Sequence, residues 1–236
     1  MAPVGDAFVS SGGCYNSAMA SLIHLPPLAD LSPEDHVLLH GVSWDDYERV
    51  LDEIGDGKTR VTYCDGSMEI MSPPPEHEDV ASIICRLIID LTMEVGLPIR
   101  GFGSTTYRRK DLKRGLEPDQ CFYIENESKV LGMKRFDPSI HPAPDLAIEA
   151  EITRRSIARE PIYGSLGVPE IWRYRNGHIA IRRLTAEATY EDAAASRYFP
   201  FLPMREFEKY VQRMLVERQN TVGMEFRKWA QTLKQA

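Results

Sequence analysis

Three carboxylates, Asp145, Glu149 and Glu151, fall at alternate positions of the apolar run Pro144–Thr153, and another, Asp119, opens the run Pro118–Ile124. Alternation along a strand puts Asp145, Ala147, Glu149 and Glu151 on one face, and Leu146, Ile148, Ala150 and Ile152 on the other. Like charges two residues apart on one face repel, so something positive should sit against them. Hard oxygen donors from two or three carboxylates suit Mg²⁺ or Mn²⁺. A solvated face on an antiparallel sheet is the other reading of the same spacing. Asp145 and Glu149 are ~13 Å apart at ~3.3 Å per residue, too far to share an ion. Asp145 is therefore expected to cap the strand start or to meet arginines. If the strands of Asp119 and Glu149 pair, their carboxylates and the Ala150 carbonyl could hold one ion and leave water positions for a substrate.

These residues depend on the elements around them. His36–His40 reads as a short strand, and Ser43 as the N-cap of a helix Trp44–Ile54, with Asp45 and Asp46 favouring its dipole. Arg60–Cys64 and Met68–Met71 make a hairpin through Asp65-Gly66, and the prolines of Ser72–Pro75 force an extended stretch. Apolar residues at helical spacing predict a long helix His77–Val95, closed by Gly96 and followed by a strand Ile99–Arg109. Residues 110–117 read as a charged loop and 125–143 as a polar connection without a long helix. A short helix is expected over Ser156–Leu166, kinked or ended by Pro161. Val168–Tyr174 and His178–Leu184 form a hairpin through Asn176-Gly177. The section Phe199–Ala236 predicts one or two amphipathic helices, covering the sheet or a partner subunit.

With 236 residues the chain is read as one domain over 31–202, with a flexible arm over 1–30 and a helical extension over 203–236. A formal charge of −7 argues against binding nucleic acid through a broad basic patch, though a local basic groove is compatible with it. The four cysteines lack zinc-type spacing and a disulfide framework. With no signal segment and no long apolar run, a soluble, cytoplasmic protein without a membrane segment is expected. There is no internal repeat, Gly-rich phosphate loop or nucleophile elbow.

The words EIMSPPPEHE (69–78), GLEPDQCFYIEN (115–126), APDLAIEAEIT (143–153) and PIYGSLGVPEIWRY (161–174) stand in an order that resembles the Uma family of "putative restriction endonucleases". That family is a branch of the PD-(D/E)XK nuclease superfamily, and the resemblance covers roughly residues 36–200. It implies an α/β (α+β) restriction-endonuclease-like core, a mixed central sheet flanked by helices. It also implies Mg²⁺- or Mn²⁺-dependent hydrolysis of DNA phosphodiester bonds, with Asp119 and Glu149 as metal ligands. A one-site enzyme that cuts both strands would act as a homodimer.

Position 151, where the superfamily usually carries lysine, holds Glu151. A carboxylate can act as base or further ligand but cannot neutralise an oxyanion. Either Glu151 completes the site, with positive charge from a second metal ion or from Arg154, Arg155 or Arg159, or catalysis is lost. In the second case a dimeric binding or regulatory module keeps the nuclease fold. His77 matches a histidine of the family pattern and is a candidate proton shuttle or phosphate contact, or else a helix-start cap. Glu69 is a further, weaker candidate. Tyr163, Trp172 and Tyr174 could stack on bases but read better as core, Trp172 above all. Arg173, Arg175, Arg182 and Arg183 could meet phosphates or simply serve solubility.

Overall fold

The computed structural model describes residues 36–55, 59–103, 105–152 and 155–233. The arm expected over residues 1–30 lies outside these. Among the described residues the chain runs β1 (His36–His40), α1 (Trp44–Ile54), β2 (Arg60–Cys64), β3 (Ser67–Met71) and α2 (Pro75–Val95). Four short strands follow: β4 (Arg100–Phe102), β5 (Tyr107–Arg109), β6 (Arg114–Leu116) and β7 (Gln120–Tyr123). Then come β8 (Leu146–Ala150), α3 (Glu160–Leu166), β9 (Glu170–Arg175), β10 (His178–Leu184), β11 (Tyr190–Ala193), α4 (Met204–Val216) and α5 (Gln219–Leu233). The architecture is mixed α+β, with two sheets and five helices.

Local chemistry sets several of these boundaries. Ser43 accepts a hydrogen bond from the Asp46 backbone N–H at 3.1 Å and starts α1. Asn176 and Gly177, at φ of 50° and 84°, supply the two left-handed residues that the β9–β10 hairpin turn needs. Pro75 and Pro161 both sit in the first turn of their helices, where a missing N–H costs nothing. Pro161 therefore neither kinks nor ends α3; it helps start it. Gly164 on α3 lies so close to the Ala188 carbonyl that a Cβ there would collide with it.

The single strand expected over 99–109 is two strands in different sheets. The Thr105 N–H bonds to the Gly103 carbonyl at 2.7 Å where the chain passes from one sheet to the other between β4 and β5. The expected loop over 110–117 holds β6, reached through Lys113 at φ 49°. The expected mixed sheet is six-stranded, β11-β10-β9-β8-β7-β4, and beside it stands a five-stranded antiparallel sheet, β1-β3-β2-β6-β5.

In the mixed sheet β8 and β9 are the parallel pair, joined by the crossover that carries α3. One face packs against α2, α4 and α5, around Ile84, Leu87, Leu146, Ile148, Trp172 and Phe207. Full burial of each such aliphatic side chain contributes about 1.5–3 kcal/mol, so this apolar face anchors the sheet. The opposite face packs Ala147 and Ile171 against Ile162 and Tyr163 of α3 and Leu116 of β6. With both faces covered, all five residues of β8 are buried. The solvated acidic face is excluded, and Glu149 must be neutralised from within. No described helix is long and apolar enough to cross a membrane.

Candidate active site

Strand register brings the first two carboxylates together. The β7–β8 pair is antiparallel, with Gln120 opposite Ile148 and Cys121 opposite Ala147, so one more step sets Asp119 opposite Glu149. Pro118 cannot donate to a ladder, and β7 begins only after it. Freed from the ladder, Asp119 turns its Oδ2 to accept the Ala150 N–H at 2.7 Å. Both carboxylates are almost wholly buried.

His77 arrives from another direction. It lies in the first turn of α2, buried, with Nε2 3.2 Å from Asp119 Oδ2. Its Nδ1 has no partner among the described residues, and neither has Glu69 Oε2 nearby. The other Glu69 oxygen accepts the Ser156 N–H at 2.5 Å and pins the segment after β8.

That segment supplies the positive charge. Arg159 Nη1 donates to Glu149 Oε2 at 2.8 Å, and its Nη2 donates to the Glu117 carbonyl. Arg155 Nη2 stands 3.3 Å from Glu149 Oε2, 3.4 Å from Asp119 Oδ1 and 3.4 Å from His77 Nε2. From α3, the Tyr163 hydroxyl donates to Glu149 Oε1. Tyr163 is buried among apolar residues and is no exposed stacking platform.

These neighbours drive the two carboxylates apart electrostatically. Burial alone would raise Asp119, but Arg155, His77 and Arg159 together outweigh it and hold the carboxyl well below the usual range. For Glu149 burial prevails and the carboxyl is raised; the Asp119 charge adds to this, while Arg159 and Arg155 oppose it. Burial works against the Arg159 charge, yet Glu149, Tyr163 and Asp119 keep it firmly protonated. Two carboxylates pushed in opposite directions are the arrangement from which acid–base roles are built.

Glu151 lies apart from this cluster. Arg173 Nε and Nη2 hold its two oxygens at 2.7 and 2.9 Å, a bidentate pair at the rim of the site. Arg173 and Arg182 also share Glu160, so these arginines are committed to ion pairs. Arg154 lies outside the described residues. Trp172 is core, as expected, its indole N–H bonded to Glu170. Asp145 caps a loop, accepting the backbone N–H groups of Ile124 and Asn126 and the Asn126 side-chain amide.

The site opens into a cleft of about 910 Å³, lined by Glu149 and Glu151 and by Arg155, Arg159, Arg173 and Arg175. With Glu160 also in the lining, the cleft sets four arginines against three glutamates. The sequence named Arg155 and Arg159 only as neighbours along the chain, and no motif marked the Tyr163 hydroxyl as a partner of Glu149. The signal for them was the uncompensated acidic strand itself, which required a positive partner.

Whether a divalent ion fits can be judged from the donors. Asp119, Glu149 and His77 converge on one cationic nitrogen, and two of the donor groups nearby retain an unpartnered buried atom. As the side chains stand, no group of three His, Cys, Asp or Glu residues among those described is close enough to hold an ion. The donor chemistry fits a hard cation, and the point of convergence is taken by a guanidinium.

The family model described as "Uma2: Putative restriction endonuclease" matches residues 44–210, well over half of the chain. A solved structure described as a putative nuclease belonging to DUF820, from Anabaena variabilis, is similar at 13% identity. That likeness covers 79% of this chain and 99% of that chain, with a TM-score of 0.44. No curated protein matches the chain.

Proposed function

The chain belongs to the Uma2 family of restriction-endonuclease-like proteins, and from that premise we propose that it is a metal-dependent endonuclease hydrolysing DNA phosphodiester bonds. One observation carries the proposal: Asp119, Glu149 and His77 surround one nitrogen of Arg155, and Arg155 and Glu149 line a cleft that carries three further arginines. Asp119 and Glu149 would hold Mg²⁺ or Mn²⁺, which when bound supplies Lewis-acid charge at a phosphoryl oxygen.

The chain's own residues do the rest. Asp119, anchored by the Ala150 N–H, and Glu149, anchored by Arg159 and Tyr163, offer preorganised oxygens that need not reorient. His77, whose Nε2 lies 3.2 Å from Asp119 Oδ2, would take or return a proton at the reacting oxygen. Arg155 and Arg159 supply the positive charge that Glu151 cannot, while Glu151 orients Arg173 at the rim. A chain with one such site would cut both strands as a homodimer.

One observation favours a second reading. Arg155 and Arg159 already balance the carboxylates without any metal, as a non-catalytic binding or regulatory module that acts as a dimer would require. The deciding experiment incubates the purified protein with duplex DNA, single-stranded DNA and RNA in Mg²⁺, Mn²⁺ or EDTA. Cleavage that needs the metal and disappears in Asp119→Asn and Glu149→Gln supports the nuclease. No cleavage in any combination, together with unchanged metal binding in Glu149→Gln, leaves the binding module.

A further inference from the structure

Building on the metal-site reading above, we infer that Arg155 is an exchangeable cation: it holds the metal position until a divalent ion displaces it, and then binds the substrate phosphate in place of the absent lysine. The two arginines of the site are held very differently. Arg159 makes a 2.8 Å bond to Glu149 and a second bond to the Glu117 backbone carbonyl, so both of its terminal nitrogens are engaged. Among the described residues Arg155 has only contacts of 3.3–3.4 Å, all through Nη2, and no backbone tie. Those distances exceed the usual N–H···O length of about 2.9–3.0 Å, so charge rather than well-formed hydrogen bonding keeps it there.

That nitrogen and a metal ion exclude one another. Mg²⁺ binds oxygen at about 2.0–2.1 Å, so an ion shared by Asp119 Oδ1 and Glu149 Oε2 would compete with Arg155 Nη2, which now contacts both atoms. Two cations in contact repel, and Arg155 must leave. Its side chain already lines the cleft, which offers room for it, and Arg173 takes both oxygens of Glu151, so that carboxylate is not free to recapture it. In the cleft the planar fork of Arg155 matches a phosphate bidentately. Before exchange, Arg155 keeps two buried carboxylates compensated; after exchange, it brings positive charge to the side from which substrate arrives.

The test is calorimetric titration of Mn²⁺ into metal-free wild type, Arg155→Gln and Asp119→Asn, with DNA cleavage measured at saturating Mn²⁺. Arg155→Gln is expected to bind Mn²⁺ at least about tenfold more tightly than wild type, because the competing state no longer lowers apparent affinity. At full occupancy its cleavage is expected to fall at least about tenfold, from the lost phosphate contact. Equal Mn²⁺ affinity in wild type and Arg155→Gln, with affinity lost in Asp119→Asn, overturns the exchange while leaving the metal site intact. Cleavage by Arg155→Gln at the wild-type rate overturns the phosphate role. Failure of all three proteins to bind Mn²⁺, or undiminished binding in Asp119→Asn, removes the metal site and the exchange with it. If Arg155→Gln is unfolded without metal, refolding in Mn²⁺ supports the exchange, and no refolding overturns it.

Discussion

The β7–β8 pair has a Pro-Asp corner at each end, Pro118-Asp119 and Pro144-Asp145, and the two are satisfied in opposite ways. Each aspartate immediately precedes its strand, and each accepts a backbone N–H from where the partner strand ends: Asp119 from Ala150, the last residue of β8, and Asp145 from Ile124, the first residue after β7. Beyond that shared bond they diverge. Asp145 takes two further N–H donors, both from Asn126, and its oxygens are closed off at 2.6–2.9 Å. Among the described residues Asp119 takes no second backbone donor; its other neighbours are the side chains of His77 and Arg155, at 3.2 and 3.4 Å. Donors fixed in a loop cannot leave, whereas side-chain cations can. The same dipeptide serves as a rivet at one end of a strand pair and as an open socket at the other.

Exchanging asparagine for each aspartate separates the two corners most directly. Asp119→Asn is expected to lower DNA cleavage at least about 10³-fold, some 4 kcal/mol of transition-state stabilisation. Asp145→Asn is expected to cost about 3 kcal/mol of folding stability in urea unfolding, since an amide cannot accept all three N–H donors and strands at least one. Its folded fraction should cleave at the wild-type rate. Equal cleavage defects in the two variants would show that both ends serve the chemistry.

Smaller effects sharpen the picture. Tyr163→Phe removes the hydroxyl that donates to buried Glu149, and should lower stability by about 1.5–3 kcal/mol in thermal or urea unfolding, as for a hydrogen bond to a charged group. Arg173→Ala breaks a pair that is a quarter to a third exposed, and should cost no more than about 1 kcal/mol in the same assay. A larger loss, or loss of Mn²⁺ binding, would mean that Glu151 depends on Arg173 for a role inside the site.

What could be read from the sequence was whatever is decided by adjacent residues. The Ser43 cap and the Asn176-Gly177 turn act over a few positions, so their elements were predictable with close boundaries. The pairing of the Asp119 and Glu149 strands stood in the sequence only as a condition, and the register meets it. The transfer of the chain between sheets after β4 was hidden, because it depends on how the passage at Gly103 sits in the assembled fold. The identity of the positive partner was hidden for the same reason. Repulsion along β8 demands a cation, but arginine and metal meet that demand equally well, and Arg155 reaches Asp119 and His77 across 36 and 78 positions of sequence.

Gly164 gives the site a mechanical stop. Bare space at that position lets α3 seat against the Ala188 carbonyl, and the preceding residue, Tyr163, is the one whose hydroxyl meets Glu149. The clearance of one missing methyl group therefore sets how deeply the phenol reaches. Any side chain at 164 would lever the helix outward and lift the hydroxyl from the carboxylate. The position thus works as a spacer that sets the Tyr163–Glu149 contact through steric fit alone, from a residue that carries no functional group.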